Sequence, residues 1–203
     1  MLSLPHFGRE LPRVTGERVV LRFPQKSDFA EWAALRRQSR GFLERWEPKW
    51  ASDELERSAW HLRVRRYREE FFRGNGVPFL IVLKQTGEIV GGISLGNIRR
   101  GVAQSGQIGY WMGEPFAGRG LMAEAVRLVV GHCFGPLRLH RIEAACIPGN
   151  ERSVRVLEKA GFTREGLLRS YLKINGMWQD HYLYSLLAEE YHVQEYRDQA
   201  VGS

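Results

Sequence analysis

The chain has 203 residues and a mass of 23.4 kDa, enough for one domain whose core its 43% hydrophobic residues can fill. No apolar run approaches the length of a membrane span, and Met1 to Pro12 carries prolines and charges where a secretory signal needs an apolar stretch; a cytoplasmic protein with no membrane partner is expected. Thirty Lys and Arg against 23 Asp and Glu give a net charge of +7, which suits polyanionic ligands such as a nucleotide cofactor or a ribonucleoprotein.

In chain order, Val19 to Phe23 reads as the first strand. Ser27 can cap a helix whose apolar positions are Phe29, Trp32, Ala33 and Leu35. Ser52 or Asp53 can cap the next, with Trp60, Val64, Tyr67 and Phe71 on one face and Gly74 as its stop. Phe79 to Leu83 and Ile89 to Asn97 read as a hairpin, and Ser105 to Met112 as its next antiparallel neighbour. A helix from Leu121 to Phe134, a strand from Arg141 to Ile147, a short helix between Asn150 and Gly161, and a last hairpin around Asn175-Gly176 complete the pattern. Cys133 and Cys146 have no further partners at metal-ligand spacing, so both read as buried thiols and no metal is expected. Strands and helices mix without regular alternation, which points to an α+β fold in one domain over residues 15–190. A short extension (1–14) and a tail (191–203) flank it.

The segment from Tyr110 to Ala125 runs from a strand through a glycine-punctuated loop straight into a helix. Gly118 and Gly120 can take backbone angles closed to other residues, and the free amides at the start of the following helix face the loop, an arrangement suited to a diphosphate. Gly-x-Gly alone is a weak signature, since any strand-to-helix turn can carry glycines. A second element joins it: Asn150-Glu151-Arg152-Ser153, then Val154, Val156 and Leu157 at helical spacing, then Gly161-Phe162.

With these two elements the chain resembles the GCN5-related N-acetyltransferase (GNAT) superfamily. Phe42-Leu43-x-x-Trp46-Glu47-Pro48, Ile108-Gly109-Tyr110-Trp111, Gly118-Arg119-Gly120-Leu121-Met122-x-Glu124-Ala125, Asn150-x-x-Ser153, Gly161-Phe162 and Asn175-Gly176-x-Trp178-x-Asp180-His181 are similar to the ribosomal-protein N-terminal acetyltransferases, the alanine-specific type above all. The resemblance covers roughly residues 15–190. It implies a mixed, mostly antiparallel sheet, flanked by helices and splayed open between the strand ending at Met112 and the strand beginning at Arg141. It also implies acetyl-CoA as donor and direct attack of a neutral amine on the thioester.

On that resemblance, the main chain of Ala117, Gly118, Arg119, Gly120, Leu121, Met122 and Ala123 would hold the diphosphate. The backbone of Tyr110, Trp111 and Met112 would pair with the pantetheine arm, and the Met112 amide would stabilise the oxyanion. Asn150 would cap its helix and touch the arm. Ser153 would protonate the departing thiolate, because the position where many relatives carry a tyrosine is Leu157 here. Glu47, Asp180 and Tyr171 are candidates to receive the amine proton or orient the amine, and Trp46 walls the acceptor groove beside Glu47 and Tyr171. Each has a plainer reading: a residue before a turn-forming proline, a cross-hairpin pair, a packed ring, a helix serine facing solvent.

Three departures bear on function. Pro115 stands where the loop pattern carries Gln or Arg and offers no amide hydrogen, leaving Arg119 to supply a phosphate contact. Gln107 replaces a glutamate suited to general-base work, and Leu157 replaces the tyrosine. Weak base machinery favours an α-amine, with pKa near ~8, over a lysine amine near ~10.4. The expected acceptor is therefore a protein N-terminus, most simply an alanine of a ribosomal protein. Two alternatives stay open: a small amine such as a polyamine or aminoglycoside, or a non-catalytic module contacting ribosome or RNA through its arginines. A monomer and a dimer are equally compatible with the sequence.

Overall fold

The computed structural model describes residues 10–192; of the expected extension and tail, residues 1–9 and 193–203 lie outside the described residues. Eight strands form one sheet in the order β1-β2-β3-β4-β5-β6-β8-β7. They are β1 Arg13–Thr15, β2 Val19–Arg22, β3 Val77–Leu83, β4 Ile89–Arg99, β5 Ser105–Met112, β6 Arg141–Cys146, β7 Thr163–Ile174 and β8 Met177–Leu187. Every pairing is antiparallel except that of β5 with β6. The α+β expectation holds, with β1 added as a three-residue strand that starts inside the expected extension and is too short to show a period of its own.

The helices that bear on the site are α1 Phe29–Gln38, α2 Arg40–Leu43, α3 Arg57–Phe72, α4 Leu121–Phe134 and α5 Glu151–Lys159. One face is packed by α1 and α3, where Trp32, Leu35, Trp60 and Val64 meet Leu80, Val82 and Ile89 of β3 and β4. On the other face, Val126, Val129 and Cys133 of α4 and Leu157 of α5 meet Ile93, Ile108, Ile142 and Tyr184. Alternation along each strand assigns the faces. In β5, Ile108 and Met112 join the α4 core while Trp111 packs on the α1 side.

The helix starts depart from the expected caps. Ser27 lies inside a single 3-10 turn, Lys26–Asp28, and α1 begins only at Phe29. Asp28 organises this turn instead: its carboxylate accepts from the Gln25 amide at 2.7 Å and pairs with both terminal nitrogens of Arg22 at 2.8 and 2.7 Å. Neither Ser52 nor Asp53 caps α3, whose N-cap is Glu56; the Asp53 carbonyl closes the preceding turn by accepting the Glu56 amide. Gly74 ends α3 with φ of 76°, as expected of a left-handed stop. Asn175 and Gly176 both have positive φ, the mirror-image turn that a two-residue hairpin requires.

A polar cluster on the sheet ties the last three strands together. Arg141 of β6 pairs with Glu143 on its own strand at 2.9 Å and reaches Glu165 of β7 with two nitrogens, one at 2.9 Å, while the Ser185 hydroxyl donates to Glu165 at 2.7 Å. The Arg141 guanidinium first, and the Ser185 hydroxyl second, hold the Glu165 carboxyl at about 2, against 4.5 ordinarily. A depressed folded-state value means this contribution is present above the unfolded value and lost as pH falls through the folded one. Glu165→Gln should therefore unfold at lower urea than the parent at pH 6, with the gap narrowing at pH 3. A gap that stays constant between those pH values would contradict the assignment.

Candidate functional site

The parallel pairing of β5 and β6 runs from Ser105↔Arg141 only to Ile108↔Ala144. Beyond it the two strands part, and a cleft of about 400 Å³ opens between Gly109–Met112 on one side and Ala145–Cys146 on the other. The expected splay is thus present, and its cause is visible at its top. The Gly113 amide donates to the Val90 carbonyl at 2.8 Å, keeping the end of β5 on β4 as β6 turns away.

That bond also sets which main-chain groups face the gap. In an antiparallel ladder alternate residues exchange bonds with the neighbour. With Gly113 bonded to Val90 and Trp111 opposite Gly92, the amide and carbonyl of Trp111 turn to β4, while those of Tyr110 and Met112 turn to the open side. Of the three residues assigned to the pantetheine arm, Tyr110 and Met112 therefore have main-chain groups directed at it, and Trp111 contributes its ring to the opposite face. The Met112 amide thus faces the cleft.

At the far end of the cleft, Gly118 and Gly120 have φ of 79° and 78°, and Gly120 is the N-cap of α4. Left-handed angles at both positions turn the chain so that the first free amides of α4 face the cleft, which Ala117, Gly118, Gly120, Leu121, Met122 and Ala123 line. Pro115 sits earlier, in a 3-10 turn Glu114–Phe116, outside this run of amides. Its missing hydrogen consequently removes nothing from the cradle. Arg119 lies over the Phe116 ring, 5.5 Å from its centroid. The Arg119 side chain is not among the residues lining the cleft, so the expected phosphate contact from Arg119 is not in place; Arg152, Arg155 and Lys159 are the basic residues that do line it, and with the α4 amides they suit a polyanionic ligand.

The cradle is braced by a carboxylate to which the sequence reading gave no role. Glu124, 7% exposed on α4, accepts from the amides of Arg18 and Val19 at 2.8 and 3.2 Å and from Arg18 Nε at 2.9 Å. Arg18 in turn donates to the Arg119 carbonyl at 3.1 Å, holding the loop between the two glycines. Burial works to raise the Glu124 carboxyl, but these hydrogen bonds outweigh it and keep it below the usual carboxylate range.

Asn150 caps α5 by accepting the Ser153 amide at 3.2 Å and also lines the cleft, so both parts of its expected role are geometrically available. Ser153 is half-buried and faces the cleft instead of bulk solvent. Its hydroxyl lies 2.8 Å from the Tyr110 hydroxyl, whose proton burial holds tightly. Cys146 also bonds to Ser153, and burial first of all pushes its thiol up to about 11, so it stays protonated. Both cysteines are buried, as expected, Cys133 within the core and Cys146 where the core meets the cleft. Leu157 is core, packed beneath α5.

The acceptor-side candidates divide. Glu47 is not free to act as a base: Arg36 holds both oxygens at 2.7 Å, and Trp50 Nε1 donates to one of them at 2.7 Å. The Arg36 guanidinium is stacked between Trp50 and Trp111, 4.3 and 4.9 Å from their centroids. Asp180 is exposed and does not pair with His181; it accepts the Ser170 amide at 2.8 Å, closing a bulge in β7 where Ser170 has φ of 45°. Tyr171 packs edge-on to His181, centroids 5.8 Å apart. Trp46 lines the cleft mouth beside Glu47, as expected of a groove wall. Gln107 bonds to Asn97 and Glu143.

A second cavity, also about 400 Å³, opens on the α1 and α3 face and shares Glu47, Gly109, Tyr110 and Trp111 with the cleft. Two compartments thus meet across the splayed strand: one with anion-binding amides, the other with aromatic walls and paired charges. The pairings of Arg36 and Arg18 were missed because their partners, Glu47 and Glu124, lie 11 and 106 positions away.

Residues 18–163 match the family model described as an acetyltransferase (GNAT) domain. The chain belongs to the GNAT acetyltransferase family. A probable N-acetyltransferase of Bacillus subtilis, YjcK, is 38% identical over 172 residues, covering 85% of this chain and 95% of that protein. The [ribosomal protein uS5]-alanine N-acetyltransferase of Escherichia coli is 31% identical over 179 residues, covering 88% and 92%. Among solved structures, Mycobacterium smegmatis RimJ in complex with CoA-disulfide superposes with a TM-score of 0.81 at 36% identity, over 89% of this chain and 88% of that one. The GNAT assignment makes the parted sheet and its cleft the candidate place for acetyl transfer.

Proposed function

We propose that the chain transfers the acetyl group of acetyl-CoA to the α-amine of a protein N-terminus, an alanine-starting ribosomal protein in the cytoplasm being the favoured acceptor. The observation that carries this reading is the charge of the acceptor compartment. Its two acids, Glu47 and Glu54, are both held by arginines, Glu54 by Arg63 at 2.8 Å, and Arg36, Arg63 and Lys49 outnumber them. A polyamine or aminoglycoside needs unpaired carboxylates around its several ammonium groups, and this compartment offers none. An α-amine brings one charge and, with a pKa near ~8, is partly neutral on arrival, whereas a lysine amine near ~10.4 is not. The alanine preference draws support from the relative in Escherichia coli, whose name specifies that acceptor.

In this reading the Met112 amide stabilises the developing oxyanion, and the Ser153 hydroxyl, held by Tyr110, delivers a proton to the departing sulfur. The test is a comparison of initial rates, followed as free thiol, for an alanine-starting peptide, the same peptide N-terminally blocked with an internal lysine, and spermidine. The alanine peptide should exceed both by more than about tenfold, given the difference in neutral amine. Equal or faster turnover of spermidine or of the blocked peptide overturns the acceptor reading.

A further inference from the structure

The amine proton has to leave during transfer, and the groups expected to take it are engaged elsewhere: Glu47 with Arg36 and Trp50, Asp180 with the Ser170 amide. The geometry points to His181 as the group that accepts it. This rests on the proposed acyl transfer to an amine and names the residue that removes the proton.

Three observations place His181 for the task. It is 3% exposed yet lines the cleft, as Trp46 and Glu47 do. The β8 register sets Tyr182 opposite Cys146, on the α4 face, so His181, one residue back, lies on the other face together with Trp111. That is the face from which the acceptor compartment opens, just beyond the point where β6 leaves β5. Third, its Nδ1 lies 2.9 Å from the Gln179 carbonyl. A carbonyl only accepts, so Nδ1 carries the hydrogen and the lone pair of the neutral ring is on Nε2.

The surroundings hold the ring in this pose. Tyr171 on β7 packs edge-on against it, and the bulge closed by Ser170 and Asp180 brings Tyr171 there. The Asn175 amide donates to the Glu47 carbonyl at 2.9 Å, tying the β7–β8 turn to the segment that carries Trp46. The acceptor mouth is thereby bounded on one side by Trp46 and Glu47 and on the other by His181. In the step, the amine nitrogen bonds to the thioester carbon, its N–H bond breaks with the proton passing to Nε2, and the imidazolium releases that proton to water at the open mouth. The carbon–sulfur bond breaks with its electron pair on sulfur, which takes the Ser153 proton as the serine oxygen regains one from water, so the proton released by His181 and the proton taken up by Ser153 balance.

His181→Gln keeps a hydrogen bond to the Gln179 carbonyl within reach but cannot take a proton. With acetyl-CoA and an alanine-starting peptide, kcat should fall by at least about 100-fold, the size of a lost general base, while acetyl-CoA affinity by calorimetry stays within threefold of the parent. His181→Ala should recover about tenfold of its lost rate on addition of free imidazole, a gain that a purely packing role would not produce. A kcat for His181→Gln within threefold of the parent, or no recovery by imidazole in a folded His181→Ala, overturns the assignment of His181 and leaves the acyl-transfer reading intact. Absence of turnover by the unaltered chain with every amine tried overturns both.

Discussion

Replacing Arg36 with alanine is expected to be among the most destabilising single changes in the molecule, costing about 3–5 kcal/mol. Arg36 is 5% exposed, its guanidinium lies between two tryptophan rings, and both Glu47 oxygens depend on it at 2.7 Å. Removing the arginine leaves a largely buried carboxylate with only the Trp50 donor and empties the space between the rings. For a chain of this size each kcal/mol moves the thermal midpoint by roughly 2–4 °C, so a fall of roughly 6–20 °C is expected by calorimetric scan. The double variant Arg36→Met, Glu47→Leu should recover much of the loss, because removing both charges leaves no orphan. A single variant that melts within two degrees of the parent would show that the pair contributes little.

If Ser153 protonates the leaving sulfur as proposed, Ser153→Ala should lower kcat by on the order of 100-fold or more with little change in acetyl-CoA affinity, because the proposed cradle is main chain. The Tyr110 hydroxyl, 2.8 Å away, holds the serine in place. A stopped-time thiol assay at saturating acetyl-CoA reads kcat directly. An unchanged kcat would remove Ser153 from the reaction and leave it as a cap-associated residue of α5. The side chain at issue is small, so a folding defect is not a competing explanation for a large loss.

Much of the frame was legible because it rests on local patterns. The bounds of β5 and α4 match the reading from alternation and helical spacing, and the Asn175-Gly176 turn follows from residues that tolerate positive φ. The Asn150 cap was equally local. What failed to show was long-range pairing. Nothing near Glu47 announces that Arg36, eleven positions earlier, would neutralise it, and Glu124 meets Arg18 across 106 positions. Asp180 looked like a partner for His181 because they are adjacent, yet adjacent strand residues face opposite sides, and the aspartate instead closes a bulge. Attention to strand alternation would have separated Trp111 from Tyr110 and Met112 and set His181 on the acceptor face once the pairing of β8 with β6 was known.

Those local and distant contacts converge on one physical claim: two left-handed glycines and the start of α4 present main-chain hydrogens to the diphosphate of acetyl-CoA. Calorimetric titration of acetyl-CoA into the parent chain and into Gly120→Val tests it most directly. The parent should bind one equivalent. In the variant, a β-branched residue at φ of 78°, with a Cβ 3.3 Å from Arg18 Nη2, should weaken binding. A weakening of about five- to thirtyfold is expected, from the roughly 1–2 kcal/mol that left-handed backbone costs. Equal affinity in the two proteins, or no heat from the parent at millimolar ligand, would contradict the account.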